Sequence, residues 1–208
     1  MNKKLLVSAF AAIAAVSVGS TALAADSSSS LYVGAAAGYG DTHWGNLNGG
    51  LNSVGLSGFS DTGFAGTVYA GFDFNQYLAV QTGYVYFPNA KASVLGNTAT
   101  IKTYGVDVLG KITVPVTGNL GLFAEAGPGY LHSSGSASGT VVGSTGSINL
   151  GSTGNVNLVY GFGANYLFTP NLVADVSFTR FNGHAKLDNN YQPDADLYAV
   201  GVSYKFNV

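Results

Sequence analysis

The chain has 208 residues, with 8 basic against 10 acidic side chains, no cysteine, 30 glycines and only 9% charged residues. The absence of cysteine excludes a disulfide-stapled fold and thiol chemistry, and the slightly acidic balance gives no reason to expect nucleic acid as a partner. Ordinary soluble domains are about 25% charged, so a positive mean hydropathy (+0.25) on so little charge points away from a water-facing globule.

The N-terminus reads as a secretion signal. Lys3 and Lys4 precede an apolar stretch, 5–19, relieved only by serines. Ala22 and Ala24 then place small residues at −3 and −1 of a signal-peptidase site. Residues 1–24 are therefore predicted to be cleaved, leaving 25–208 as one domain. The apolar stretch falls short of the roughly 20 residues that span a bilayer as a helix, and no cysteine stands at the cut to carry a lipid. Without Lys3 and Lys4 the net charge moves from −2 to −4.

Beyond the signal the hydrophobicity is dispersed, with a period of two. Segments 31–40 and 64–74 alternate weakly. Leu78, Val80, Thr82, Tyr84 and Tyr86 then share one face against Ala79, Gln81 and Gly83. Val106, Val108, Ile112 and Val114 oppose Asp107, Leu109 and Lys111. Leu122, Ala124, Ala126 and Tyr130 oppose Phe123, Glu125 and Gly127. Leu158, Tyr160, Phe162 and Tyr166 oppose Asn157, Gly161, Gly163 and Asn165. Leu172, Val176 and Phe178 oppose Asp175 and Ser177, and Tyr198, Val200, Val202, Tyr204 and Phe206 oppose Gly201, Ser203 and Lys205. These are eight strands. Three connections, around Asn75, Gly118 and Pro170, are tight turns; four, over 41–63, 88–100, 132–154 and 183–196, are long. Short turns on one side and long loops on the other predict an all-β, eight-stranded antiparallel transmembrane barrel, an up-and-down meander with both termini periplasmic. The Gly- and Ser-rich loop 132–154 is compatible with a flexible tip or with a hairpin that projects past the membrane.

Charge placement decides which face is outside. Asp73, Asp107, Lys111, Glu125, Asp175 and Lys205 all lie on the glycine-rich face; Arg180 alone falls on the apolar face, at a strand's outer end. An eight-stranded barrel has a lumen just wide enough for side chains to fill. Turning the glycine face outward would place Lys111 in lipid at a cost of about 2–4 kcal/mol near the midplane. The apolar face is therefore predicted to meet lipid. Aromatics follow suit: Tyr39, Tyr84, Tyr86, Tyr130 and Phe178 sit toward the long loops, and Phe72, Phe74, Tyr166, Phe168, Tyr204 and Phe206 toward the short turns, as two interfacial girdles.

Hairpin geometry pairs interior residues. A turn centred on Gly118 sets Lys111 across from Glu125, and one centred on Pro170 sets Asn165 across from Asp175. Together with Gln81 and Asp107 they are the candidate lumen plug. A narrow ion path lined by an unpaired Asp107 is the alternative. No catalytic or metal site emerges: His132-Ser133-Ser134 is followed by no glutamate, and His43 and His184 stand on loops without ligand spacing. No enzyme activity, metal or cofactor is expected. Trp44, Leu51, Val54, Leu56 and Phe59 in the first loop are suited to packing over the barrel mouth or to a partner patch.

Five stretches resemble the transmembrane domain of OmpA-type proteins: 31–39 (LYVGAAAGY), 71–77 (GFDFNQY), 110–117 (GKITVPVT), 168–172 (FTPNL) and 197–206 (LYAVGVSYKF). The resemblance runs through nearly all of 25–208 in order and is absent from the loops. It implies a monomer in a Gram-negative-type outer membrane, among lipid and lipopolysaccharide. It also implies a C-terminal aromatic, here Phe206 ahead of Asn207 and Val208, that the barrel assembly machinery reads. The family's interior ion-pair network has been discussed as a gate. Lys111 matches the family lysine, but Gln81 and Asn165 stand where the family has acids, and Glu125 and Asp175 where it has arginines. No Pro/Ala-rich linker or peptidoglycan-binding segment follows Val208, so wall tethering is not carried over. The expected role is structural or adhesin-like, through a host or surface ligand at the long loops; the alternative is a low-conductance, porin-like channel.

Overall fold

The computed structural model describes residues 29–43, 60–94, 97–141, 144–183 and 193–207. The predicted signal, the first-loop patch from Trp44 to Phe59, and His184 lie outside them. Among the described residues there are nine strands: β1 (Ser30–Thr42), β2 (Thr62–Asp73), β3 (Leu78–Tyr86), β4 (Ala90–Val94), β5 (Asn97–Pro115), β6 (Leu120–Val141), β7 (Ser144–Leu167), β8 (Leu172–Asn182) and β9 (Ala195–Asn207). Every pairing is antiparallel. β3 pairs with β5, and β9 returns to β1 from Ser30↔Asn207 to Thr42↔Ala195, so eight strands close into a ring. Closure pairs the backbone on both sides of each strand, which is what permits a sheet to sit in hydrocarbon.

The alternation predicted for each strand holds around the ring. Phe162, Val176 and Val200 are 61%, 52% and 64% exposed on the outside, whereas Leu109, Val159 and Leu197 are buried within. Inward glycines make room for bulk. A Cβ on Gly34 would lie 2.5 Å from the Tyr69 ring, and Gly129 and Gly105 are covered by Phe181. The carboxylates of Asp107, Glu125 and Asp175 lean over Gly83, Gly161 and Gly201. Glycines share a face with these bulky and acidic side chains because the rings of Tyr69 and Phe181 and the carboxylates of Asp107, Glu125 and Asp175 lie across glycines of other strands.

All three short turns use one device. The side-chain oxygens of Asn75, Thr117 and Thr169 accept from the backbone N–H of Leu78, Leu120 and Leu172, three residues on, at 2.9, 3.1 and 3.0 Å. This satisfies a backbone donor at the start of the following strand and fixes the hairpin register.

Two long connections depart from expectation. Segment 88–100 is not an open loop: β4 pairs with the outer end of β5, from Ala90↔Ile101 to Val94↔Asn97. Five residues of weak alternation hid this strand from period counting. The 132–154 segment is a hairpin, with β6 and β7 paired out to Val141↔Ser144 across an irregularity at Gly135/Ser136. Gly151, opposite Gly135, takes a φ of +96°, a backbone state that glycine adopts without strain. Arg180 is also not alone on the outer face. β1 runs to Thr42 and β9 starts at Ala195, which brings Asp41 and Asp196 onto that face beside it.

Candidate functional site in the barrel interior

From the short-turn end the lumen is layered. In the first layer Asp73 Oδ2 accepts from Ser30 Oγ and from Lys205 Nζ, each at 2.8 Å. Since β1 lies between β2 and β9, this contact straddles the strand at which the ring closes. Tyr32 Oη donates to Gln81 Oε1 at 3.0 Å, from β1 over β2 to β3. These groups surround a vestibule of about 280 Å³ among the short turns, with Lys111, Asn165 and Lys205 on its wall.

In the second layer the register sets Lys111 opposite Glu125 and Asn165 opposite Asp175. The Lys111 ammonium lies over the Phe123 ring, 3.9 Å from its centroid, where the ring quadrupole attracts a cation. Glu125 accepts from Thr179 Oγ1 at 3.4 Å, and Asp175 accepts from Tyr69 Oη at 2.7 Å across the lumen. Among the described residues the close ion pairs are Lys205–Asp73, Arg180–Asp196 and the contacts of His43; Lys111 is in none of them. Lys111, Glu125, Asp107 and Asp175 share a small chamber of about 30 Å³.

The third layer is apolar. Phe87, Phe181, Leu109, Leu131, Val159 and Leu197 form one buried cluster, and the Phe87 and Phe181 rings meet edge to face at 5.7 Å. Beyond it Thr103 and Ser133 hydrogen-bond at 3.0 Å. Sequence reasoning did not single out Tyr32, Tyr69, Phe87 or Phe181. The available signal was parity: Tyr32 and Tyr69 are inward positions next in phase to Gly34 and Gly71.

On the outside, Tyr166–Phe168 and Tyr204–Phe206 pack edge to face at 5.1 and 4.9 Å beside the short turns. Phe206 stands exposed near the end of β9, opposite Leu31. Tyr39, Tyr84 and Tyr86 are exposed and Tyr130 is half-buried toward the long-loop end. There Arg180 Nε donates to Asp196 Oδ1 at 2.6 Å, and His43 Nε2 lies 3.6 Å from Asp41 and 3.9 Å from Asp196.

A closed eight-stranded ring with an apolar exterior, aromatic bands at both ends and a polar, glycine-lined interior defines an outer-membrane β-barrel. Residues 26–208 match the OmpA-like transmembrane domain, and the chain belongs to that family. It is 30% identical over 163 residues to an uncharacterized protein of Coxiella burnetii (strain RSA 493 / Nine Mile phase I), covering 65% of each chain. To outer membrane protein A of Serratia marcescens it is 25% identical over 199 residues, 94% of this chain and 54% of that one. The chain thus spans between about half and two thirds of the length of these relatives.

Solved structures with the same fold include Neisserial surface protein A, at TM-score 0.52, 18% identity and coverage of 86% and 97% of the two chains. A major outer membrane protein from Thermus thermophilus gives 0.55 at 14% identity, covering 86% and 99%. Ail of Yersinia pestis, in complex with the heparin analogue sucrose octasulfate, gives 0.51 at 16% identity, covering 88% and 100%.

Proposed function

We propose that the mature chain, 25–208, is a non-enzymatic, monomeric barrel with a closed lumen, serving the outer membrane as a structural or adhesin-like surface protein. Both termini face the periplasm, Phe206 is read by the barrel assembly machinery, and the long-loop end meets lipopolysaccharide and external ligands. The observation that carries this reading is the apolar layer: Phe87, the residue after the end of β3, touches Phe181 on β8, and β3 and β8 lie on opposite sides of the ring. The ligand-bound Ail structure, a barrel of the same fold, supports the surface-binding half of the reading. A gated channel is the second reading, favoured by the vestibule that reaches as far as Lys111.

Single-channel recording on refolded 25–208 in a planar bilayer separates the two. A silent bilayer, with folding established by a heat-dependent shift in gel mobility, supports the closed barrel. Steady openings that change in Lys111→Ala overturn it in favour of the channel.

A further inference from the structure

The middle of the lumen holds more acidic than basic side chains. Asp107, Glu125, Asp175 and Lys111 line one chamber of about 30 Å³, three carboxylates against one ammonium. In the layer below, Lys205 is held by Asp73. Lys111 leans on the Phe123 ring and makes no close ion pair among the described residues. Hydrogen-bond donors are short as well. Tyr69 Oη donates to Asp175 and Thr179 Oγ1 donates to Glu125. Asp107 is 5% exposed and leans over Gly83, and its Oδ1 accepts no hydrogen bond. A buried carboxylate oxygen without a donor is costly, the more so inside a ring whose outer face meets lipid.

We propose that this chamber binds one monovalent metal cation of the sodium or potassium kind, anchored by Asp107 Oδ1 in the negative field of Glu125 and Asp175. Hard cations take oxygen ligands. The hydroxyls of Thr67 and Ser177 stand on the same wall and can turn lone pairs toward an ion. A cavity of about 10–15 Å³ admits a single water, so the chamber has room for a partly dehydrated ion and a water. Among the described residues no three acidic or histidine side chains converge as a metal cage. That suits a singly charged ion rather than a divalent one with its tight inner shell.

The ion enters from the short-turn end. Lys111 lines both the chamber and the vestibule, so its side chain stands between them. Asn165, whose Oδ1 is another buried acceptor without a donor, lies on the vestibule wall. On the other side Leu109 and Leu197, members of the apolar cluster, line the chamber. The site is therefore a blind end reached from one side of the membrane, and in that respect it rests on the closed-lumen reading. Lys111 competes with the ion for the same carboxylates, which gives its removal a sign opposite to that of removing Asp107.

The test compares refolded 25–208 in zwitterionic detergent in sodium, potassium and choline chloride at equal ionic strength, so that screening is constant. It reads the urea midpoint and the broadening of the sodium NMR line by the protein. Wild type is expected to have a higher midpoint in sodium or potassium than in choline, as a ligand of the folded state alone requires. It is also expected to broaden the sodium line saturably. Variants are first scored for the heat-dependent gel shift. D107N and E125Q, either of which suffices if the other does not fold, are expected to weaken sodium binding roughly tenfold or more. K111M is expected to strengthen it. A folded wild type with one midpoint in all three salts and no saturable broadening overturns the inference, its carboxyls then being neutralised by protons. Sodium binding undiminished in folded D107N or E125Q overturns it as well. Bilayer conductance is read separately: a conducting barrel that still binds sodium through Asp107 keeps the site and refutes the closed lumen, so the two failures are told apart.

Discussion

Phe87, just past the end of β3, meets Phe181 of β8 edge to face across the ring, and β3 and β8 share no hydrogen bond and lie four places apart around it. Both are fully buried, and the cluster around them separates the polar chamber below from the Thr103–Ser133 pair above. An eight-stranded lumen leaves little room beyond its side chains, and on the closed-lumen reading proposed above this contact is the barrier.

The double substitution F87A/F181A is therefore expected to give discrete conductance steps in planar bilayers where wild type is silent. Removing two buried rings from a packed interior also costs stability, about 3–5 kcal/mol each by analogy with soluble cores. A urea midpoint below wild type should accompany the new conductance. A silent F87A/F181A barrel that retains the gel shift places the barrier elsewhere in the lumen.

The lipid-facing assignment is tested at Val200, which is 64% exposed between Tyr198 and Tyr204 on the outside of β9. Val200→Lys should destabilise the folded barrel by about 2–4 kcal/mol if the side chain meets hydrocarbon near the midplane. A surface position in water would change by no more than about 0.5 kcal/mol. Equilibrium unfolding from lipid vesicles reads the difference directly.

Gly38 has no space for even a methyl group, since its Cβ would run into the Tyr198 carbonyl of the neighbouring strand. Gly38→Ala is expected to reduce the yield of heat-shifted, folded protein severely. Outward-facing Gly110 is the control, with the nearest atom 3.8 Å from an added Cβ. Gly110→Ala should refold like wild type.

The Asp73–Lys205 contact is expected to act at the closing seam. Asp73→Asn and Lys205→Met, measured singly and together by urea unfolding, should show a coupling of about 1 kcal/mol, as contacting groups in one hydrogen-bonded network do. Strict additivity of the two would show that the pair contributes nothing beyond its separate parts.

What was legible in the sequence follows from locality. Alternation assigned the inward and outward faces because a strand has only two. The tight turns placed Lys111 opposite Glu125 and Asn165 opposite Asp175 because a short hairpin fixes its own register. Contacts made through closure left no such trace. Tyr69 reaches Asp175, and Phe87 reaches Phe181, across a lumen whose width depends on all eight strands at once. Register also did not determine side-chain direction: Lys111 lies over Phe123, a neighbour on the same wall, although Glu125 stands opposite it. The rim group of Asp41, Asp196 and Arg180 was hidden because two strands extend a few residues further than their apolar pattern.

β6 and β7 stay paired for some ten residues beyond Leu131, to Val141↔Ser144. At about 3.3 Å per residue this is on the order of 30 Å along the strand. Such an overhang is a mast. On the outer-membrane reading proposed above, the far end of this ladder would stand beyond the headgroup layer, where large external macromolecules would meet it before any loop lying flat on the membrane. Because the hairpins below already hold the register, the mast can change in sequence without disturbing the ring, and selection by such contacts is expected to fall there first.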